Sequence, residues 1–271
     1  MNNNTKNVKL ISKQSKVNIH NTQAFEFYSE KVEDTYSVQL ALPKSYSQSN
    51  QKYPVLYVLD ANIFFSITLG TARLLQYGNE IPELIVVGIG YPNENEHMLL
   101  RNRDYLPTFN KSSRMSGHAN RFLSFVNEEL VPEINMLYRT DQENQTLLGD
   151  SYSGLFALYT LFTNSNLFNN YIIGSPSIYW DDRVIFDIEQ EQMSEMDDLR
   201  AKVFLSVGAL EATREPAFAR MVGNVVDMSN LLHKRSYDSL ELTTHIFEDE
   251  THLSVIPATI SRGLRCIYND L

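Results

Sequence analysis

A serine becomes a strong nucleophile only where a base can take its proton, so the two must be sought together. Residues 146–162, TLLGDSYSGLFALYTLF, set Ser151 after an apolar run that ends at Leu148. A helical pattern follows, with Leu155, Leu158, Tyr159 and Phe162 recurring along it. Strand, Gly-x-Ser-x-small turn and helix, in that order, make the context of a nucleophile elbow, which lifts the hydroxyl from the carboxyl edge of a sheet. The small residues let the turn close, and the N–H groups at the start of the helix face a developing oxyanion. The fifth position of the motif is usually glycine and here is Ser153. Centring the motif on Ser153 fails, because Ser151 and Leu155 would then fill both glycine positions. The competing reading is a Ser/Asp-capped helix after a strand.

In this chemistry the chain order is serine, then an acid, then histidine. Of the six histidines, His233, His245 and His252 follow Ser151. His233, in NLLHKR, suits a helix end, where a cation meets the dipole favourably. His245 lies inside the strand pattern LELTTHIFE, where side chains are committed to the two sheet faces. His252, in EDETHLSVIP, falls in the loop after that strand and is the candidate base. For the acid, Glu211 comes first, because VFLSVGALE reads as a buried strand followed by a glycine turn. Asp249, Glu250 and Glu215 remain open as rivals.

These residues need a sheet to bring them to one edge. TYSVQLALP (35–43) alternates as a half-buried strand does, near a sheet edge and antiparallel. PVLYVL, ELIVVGIG, YIIG and KVFLSVG are nearly continuous apolar runs, as strands covered on both faces require. Helical patterns separate them, and HANRFLSFVNEELVPEINMLY (118–138) puts Phe122, Phe125, Val126, Leu130, Ile134 and Leu137 on one face despite Pro132. Strands alternating with helices predict an α/β fold, with a mostly parallel sheet wrapped on both sides. With 271 residues, 43% hydrophobic, one domain over 23–271 is expected, preceded by a loose Asn/Lys/Ser-rich arm over 1–22. The acidic stretch 181–198 reads as a solvated helix or, alternatively, as an insertion folding into a cover.

A net charge of -10 disfavours nucleic acid and anionic membranes as partners. The single cysteine, Cys266, excludes an intrachain disulfide and a Cys-based zinc cluster and fits a reducing compartment. No apolar run approaches the length of a signal-peptide core at the amino terminus or of a membrane span anywhere. A cytoplasmic protein acting on a small-molecule ester is expected, with no metal and no organic cofactor.

VLYVLDANIFF, LLGDSYSGLFALYTLF, GSPSIYWDD, VFLSVGALE and HLSVIPATISRGLRCIY together resemble the esterase family of α/β-hydrolases, which includes the trilactone siderophore esterases. The likeness runs from about residue 24 to the end. It implies an α/β-hydrolase sheet of about eight strands, with Ser151 as nucleophile, His252 as base and Glu211 as acid, although some members work as Ser–His dyads. One oxyanion donor would be the N–H of Tyr152, the other that of Ala61 or Asn62. The segment RNRDYLP resembles a family block near the pocket, so that Arg101 or Arg103 could contact substrate, with a salt bridge to Asp104 as the alternative role. Tyr179 and Trp180 of GSPSIYWDD are the further substrate-binding candidates.

The residue before the nucleophile, usually His in this family, is Asp150. A carboxylate at the pocket mouth would raise the pKa of His252 and repel anionic substrates such as ferric siderophores, which favours a neutral ester. The expected function is hydrolysis of a carboxylic ester through an acyl-enzyme. Acyl transfer on the same fold, or a binding protein that has lost the activity, are the alternatives.

Overall fold

Along β3 (Tyr53–Val58) and β5 (Thr140–Asp150) successive apolar side chains point to opposite sides, and both sides are buried. Tyr57 and Leu147 join one core, Val58 and Leu148 the other. A sheet covered on both faces follows from that double burial. In the computed structural model, which describes residues 18–269 apart from 94, 112, 114 and 195, the strands lie in the order β1-β2-β4-β3-β5-β6-β7-β8. Besides β3 and β5 these are β1 (Thr22–Ser29), β2 (Asp34–Ala41), β4 (Ile85–Gly90), β6 (Asn170–Gly174), β7 (Ala201–Gly208) and β8 (Leu240–Phe247). β1 pairs antiparallel with β2, and β2 with β4, while every later pairing is parallel. This is the mostly parallel sheet of the α/β-hydrolase fold.

Helix α1 (Ala61–Tyr77) covers one face with α9 (Val255–Tyr268), where Phe64, Phe65, Leu69, Ile260 and Leu264 form the smaller core. The larger core lies on the other face. It is built from α2 (His97–Tyr105), α3 (Ala119–Phe125), α4 (Val131–Leu137), α5 (Tyr152–Thr163), α6 (Trp180–Met193) and α8 (Met221–Arg235). Each fully buried large apolar side chain contributes about 1.5–3 kcal/mol, so these two layers supply the main drive for the fold.

The helical pattern over 118–138 runs unbroken through Ala119–Leu137 but changes its winding midway. Between α3 and α4 the residues Val126–Leu130 form a π-helical turn. Pro132 explains it: proline has no N–H and its ring clashes with the carbonyl four residues back, so the ladder widens by one residue ahead of it. Of the expected N-terminal arm, residues 1–17 lie outside the described residues, and Thr22 already opens β1. The stretch 181–198 is mostly α6, entered through three successive left-handed residues, Asp181, Asp182 and Arg183.

Candidate active site

The parallel strands all end at one edge, and the three candidate residues stand there on three different connections. Ser151 joins β5 to α5 with φ 61 and ψ -118, outside the helical and extended regions. A non-glycine residue held so costs on the order of 1–3 kcal/mol, which the surrounding packing must offset. Gly149 makes the turn possible, because a Cβ there would lie 2.3 Å from the Ser153 carbonyl oxygen. Ser151 also stands at the N-cap of α5, where Leu155 N–H donates to its carbonyl at 2.9 Å.

His252 follows β8 and precedes α9, and Glu211 opens the short helix α7 (Glu211–Arg214) after β7. His252 Nδ1 lies 2.8 Å from Glu211 Oε2, and Nε2 lies 3.1 Å from Ser151 Oγ. With the Nδ1 proton donated to the carboxylate, Nε2 is left to accept the serine hydrogen. Glu211 is buried and fixed from behind: its Oε1 accepts from Gly208 N–H at 2.8 Å and from the Ser175 hydroxyl. Burial works against charge on His252, but the hydrogen bond to Glu211 and the field of Asp150 carry its pKa above the ordinary value. The rival acids are placed otherwise. Glu250 accepts from Ser254 Oγ, Asp249 takes a left-handed turn conformation, and Glu215 acts on His252 only through its field.

The candidate oxyanion donors face the same edge. Tyr152 N–H belongs to the first turn of α5, and Ala61 and Asn62 to that of α1, so these N–H groups have no acceptor within their helices. The Asn62 side chain is committed elsewhere, its amide donating to Tyr91 O at 2.9 Å and accepting from Tyr91 N–H at 2.8 Å. Only its backbone remains a candidate.

Arg101 and Arg103 are both paired within the protein. Arg101 is buried and grips Asp60 with two bonds of 2.8 Å, while its guanidinium lies 5.2 Å from the centre of the Tyr152 ring. Arg103 donates to Asp34 at 2.6 Å and to Asp104 at 2.7 Å. Trp180 meets Tyr152 edge to face at 5.9 Å and donates to Thr108 Oγ1, which puts it beside the elbow. Tyr179 is pushed up to about 12 by burial and by its contact with Tyr152. A cavity of about 240 Å³ lies against Glu211 and is lined by Pro216, Ala217 and Arg220. Another, of about 420 Å³, sits at the far side between β2 and α1 and holds none of these residues.

Asp150 is not at the pocket mouth. It is the last residue of β5 and pairs with Gly174 of β6, and its carboxylate occupies the room Gly174 leaves, against Thr259 of α9. Strand alternation turns it beneath the site. Its Oδ2 has no hydrogen-bond partner among the described residues, and burial raises its pKa to about 7, with His252 and Arg101 pulling the other way.

Three contributors escaped the reading of the sequence. Ser175 holds Glu211, Ser177 Oγ lies 3.3 Å from Ser151 Oγ, and Asp60 binds Arg101 and Ser153. Their signals were faint: both serines sit in GSPSIYW after β6, and Asp60 directly follows the apolar end of β3.

A hydroxyl on a strained strand-to-helix turn, bonded to an imidazole that is itself bonded to a buried carboxylate, has the geometry for acyl transfer. With the sheet order, these features define an α/β-hydrolase. Residues 29–253 match the family described as "Putative esterase", and the chain belongs to that family. It is a serine hydrolase acting on carboxylic esters. Ferri-bacillibactin esterase BesA of Bacillus subtilis (strain 168) is 32% identical over 228 residues, 79% of this chain and 78% of that one. The siderophore triacetylfusarinine C esterase of Aspergillus fumigatus is 27% identical over 282 residues, 94% of this chain and 95% of its own. The crystal structure of the BES protein from Bacillus cereus superposes with a TM-score of 0.85 at 32% identity, covering 96% of this chain and 99% of that one.

Among the described residues, no helix is long and apolar enough to cross a membrane.

Proposed function

We propose that this chain hydrolyses the ester bonds of a siderophore through an acyl-enzyme. Ser151 attacks the ester carbonyl, His252 takes the serine proton and returns it to the leaving alcohol, and Glu211 orients the imidazole and stabilises its charge. The N–H groups of Tyr152 and of Ala61 or Asn62 receive the oxyanion. Water, activated by the same histidine, then releases the acid. The observation that carries this reading is the line Ser151–His252–Glu211, at 3.1 Å and 2.8 Å, on an elbow whose serine has φ 61.

The siderophore part of the proposal is supported by the substrates in the relatives' names. Asp150 no longer argues against it, since the carboxylate is buried and does not face the substrate. The single Cys266 and the acidic balance fit action in the cytoplasm on a small molecule, without metal, organic cofactor, nucleic acid or membrane.

The test is fluorophosphonate labelling of Ser151, followed by product analysis with ferric and iron-free trilactones and with a neutral aryl ester, each with and without an added alcohol. Rapid labelling with release of free acid from a trilactone is expected. Absence of labelling would leave a binding protein. Transfer of the acyl group to the alcohol in preference to water would make the chain an acyltransferase. Turnover of the aryl ester alone would restore the neutral-ester reading.

A further inference from the structure

One buried carboxylate joins the two turns that carry the candidate oxyanion donors, and the proton relay makes no use of it. Asp60 stands at the N-cap of α1 with φ 51 and ψ 41, directly before Ala61. An aspartate there ordinarily caps the helix with its side chain, but this one makes no such bond. The carboxylate turns instead to Arg101, which holds both oxygens at 2.8 Å, and to Ser153, whose hydroxyl donates to Oδ2 at 2.7 Å. The main chain is held as well: Asp60 N–H donates to Tyr105 Oη at 3.1 Å, and its carbonyl accepts from Ile63 and Phe64 N–H.

At the other end, Ser153 Oγ accepts from Asp150 N–H at 3.0 Å and lies 2.8 Å from Asp150 O, a neutral acceptor that competes with the charged Asp60 carboxylate for its one hydrogen, so it spans the elbow from one side of Ser151 to the other. Asp60, Ser153 and Arg101 are all buried. Burial opposes charge on Arg101, but Asp60 raises its pKa and keeps it ionised. A charge-assisted bond in such surroundings is short, directional and little screened. The glycine usual at the fifth elbow position could not make it.

We propose that Ser153 and Asp60 are positioning residues that fix the two oxyanion donors against each other, with the Ser153 hydroxyl as the link between the turns. Ala61 is one residue from Asp60, and Tyr152 is one residue from Ser153. Donors must sit about 2.7–3.1 Å from the oxyanion to be effective, so a shift of a few tenths of an ångström between the turns weakens transition-state binding and leaves ground-state binding alone. The proposal rests on the reading of Ser151 as nucleophile.

The experiment measures kcat and KM on a neutral aryl ester, inhibition by an aryl boronic acid that forms a tetrahedral adduct with serine, and thermal midpoints. It compares Ser153→Ala and Ser153→Gly with the unmodified protein; glycine is the ordinary occupant of this turn and keeps the test open should alanine misfold. Both variants are expected to lose about tenfold to a hundredfold in kcat, with KM within about twofold and boronate affinity falling in step with kcat. Unchanged kcat and boronate affinity in either folded variant overturns the proposal, whatever the thermal midpoint does. A raised KM at constant kcat overturns it too, since that would assign Ser153 to ground-state binding. Ser151→Ala, measured alongside, keeps the two readings apart. Turnover surviving in Ser151→Ala removes the nucleophile itself, whereas its loss there beside unaffected Ser153 variants removes only the link.

Discussion

Glu211 reaches His252 at 2.8 Å while its second oxygen is held by Gly208 N–H and the Ser175 hydroxyl, so the carboxylate that orients the imidazole is itself oriented. Supporting bonds of this kind set the tautomer and angle of the base. Glu211→Gln keeps the shape but gives Nδ1 a weaker, uncharged acceptor or opposes it with an amide. The rate should fall by about 10²- to 10⁴-fold, as for other triad acids. Asp249→Asn should remain near normal. Steady-state kinetics on one aryl ester checks both, and the reverse pattern would reassign the acid.

Ser151→Ala and His252→Ala should each abolish nearly all turnover while leaving the fold intact, because members of such a relay act as a unit. Ser153→Ala should retain measurable turnover. Circular dichroism and active-site labelling, run beside the kinetics, would expose a loss caused by misfolding, and full activity in Ser151→Ala would sink the mechanism.

Asp150 should tune the base through space. Its field is among the causes that raise the pKa of His252 against the opposing effect of burial, so removing the charge lets that pKa fall. In Asp150→Asn the acidic limb of kcat/KM is expected to move to lower pH by less than about one unit, because Asp150, with a pKa of about 7, is only partly ionised where His252 titrates, and with little dependence on salt because the groups are buried. A limb that stays or moves upward would assign Asp150 to the turn.

The same residue predicts a stability change. Burial raises its pKa from 3.8 to about 7, so the folded state holds the proton more tightly than the unfolded chain. That contribution is complete below the unfolded value and is lost as pH rises through about 7. Asp150→Asn should therefore gain about 2 kcal/mol on the unmodified protein between pH 5 and pH 8, read from denaturation at both pH values. An equal difference at the two would show that Asp150 does not titrate in this range.

Arg101 tests structure against substrate contact. Arg101→Gln leaves Asp60 buried and unpaired, at a cost of about 3–5 kcal/mol, equivalent to roughly ten degrees in thermal midpoint for a domain of this size. Arg101→Lys should lose less, since it keeps the charge but not the two-pronged grip. An unchanged midpoint with a raised KM would make Arg101 a substrate ligand instead.

The sequence by itself determined the parts whose signals are local. Apolar runs such as PVLYVL and KVFLSVG can only be strands buried on both faces, and the small residues around Ser151 announce a tight turn before a helix. The position of His252 after a strand followed from the same periodicity. Pro132 was legible as a disturbance, but whether the helix would end, kink or widen depended on the packing of Phe122, Phe125 and Leu130 against the sheet. Tertiary structure alone decided the longer-range matters. It brought Glu211, rather than Glu250 or Asp249, to His252, because hydrogen-bond reach across 41 residues of chain is set by where neighbouring strands end, which no local pattern encodes. It turned Asp150 inward, because the space it fills exists only where Gly174 of the adjacent strand lacks a side chain. It also paired Arg101 with Asp60, since the energy of a buried charge depends on its partner, and that partner lies on another element.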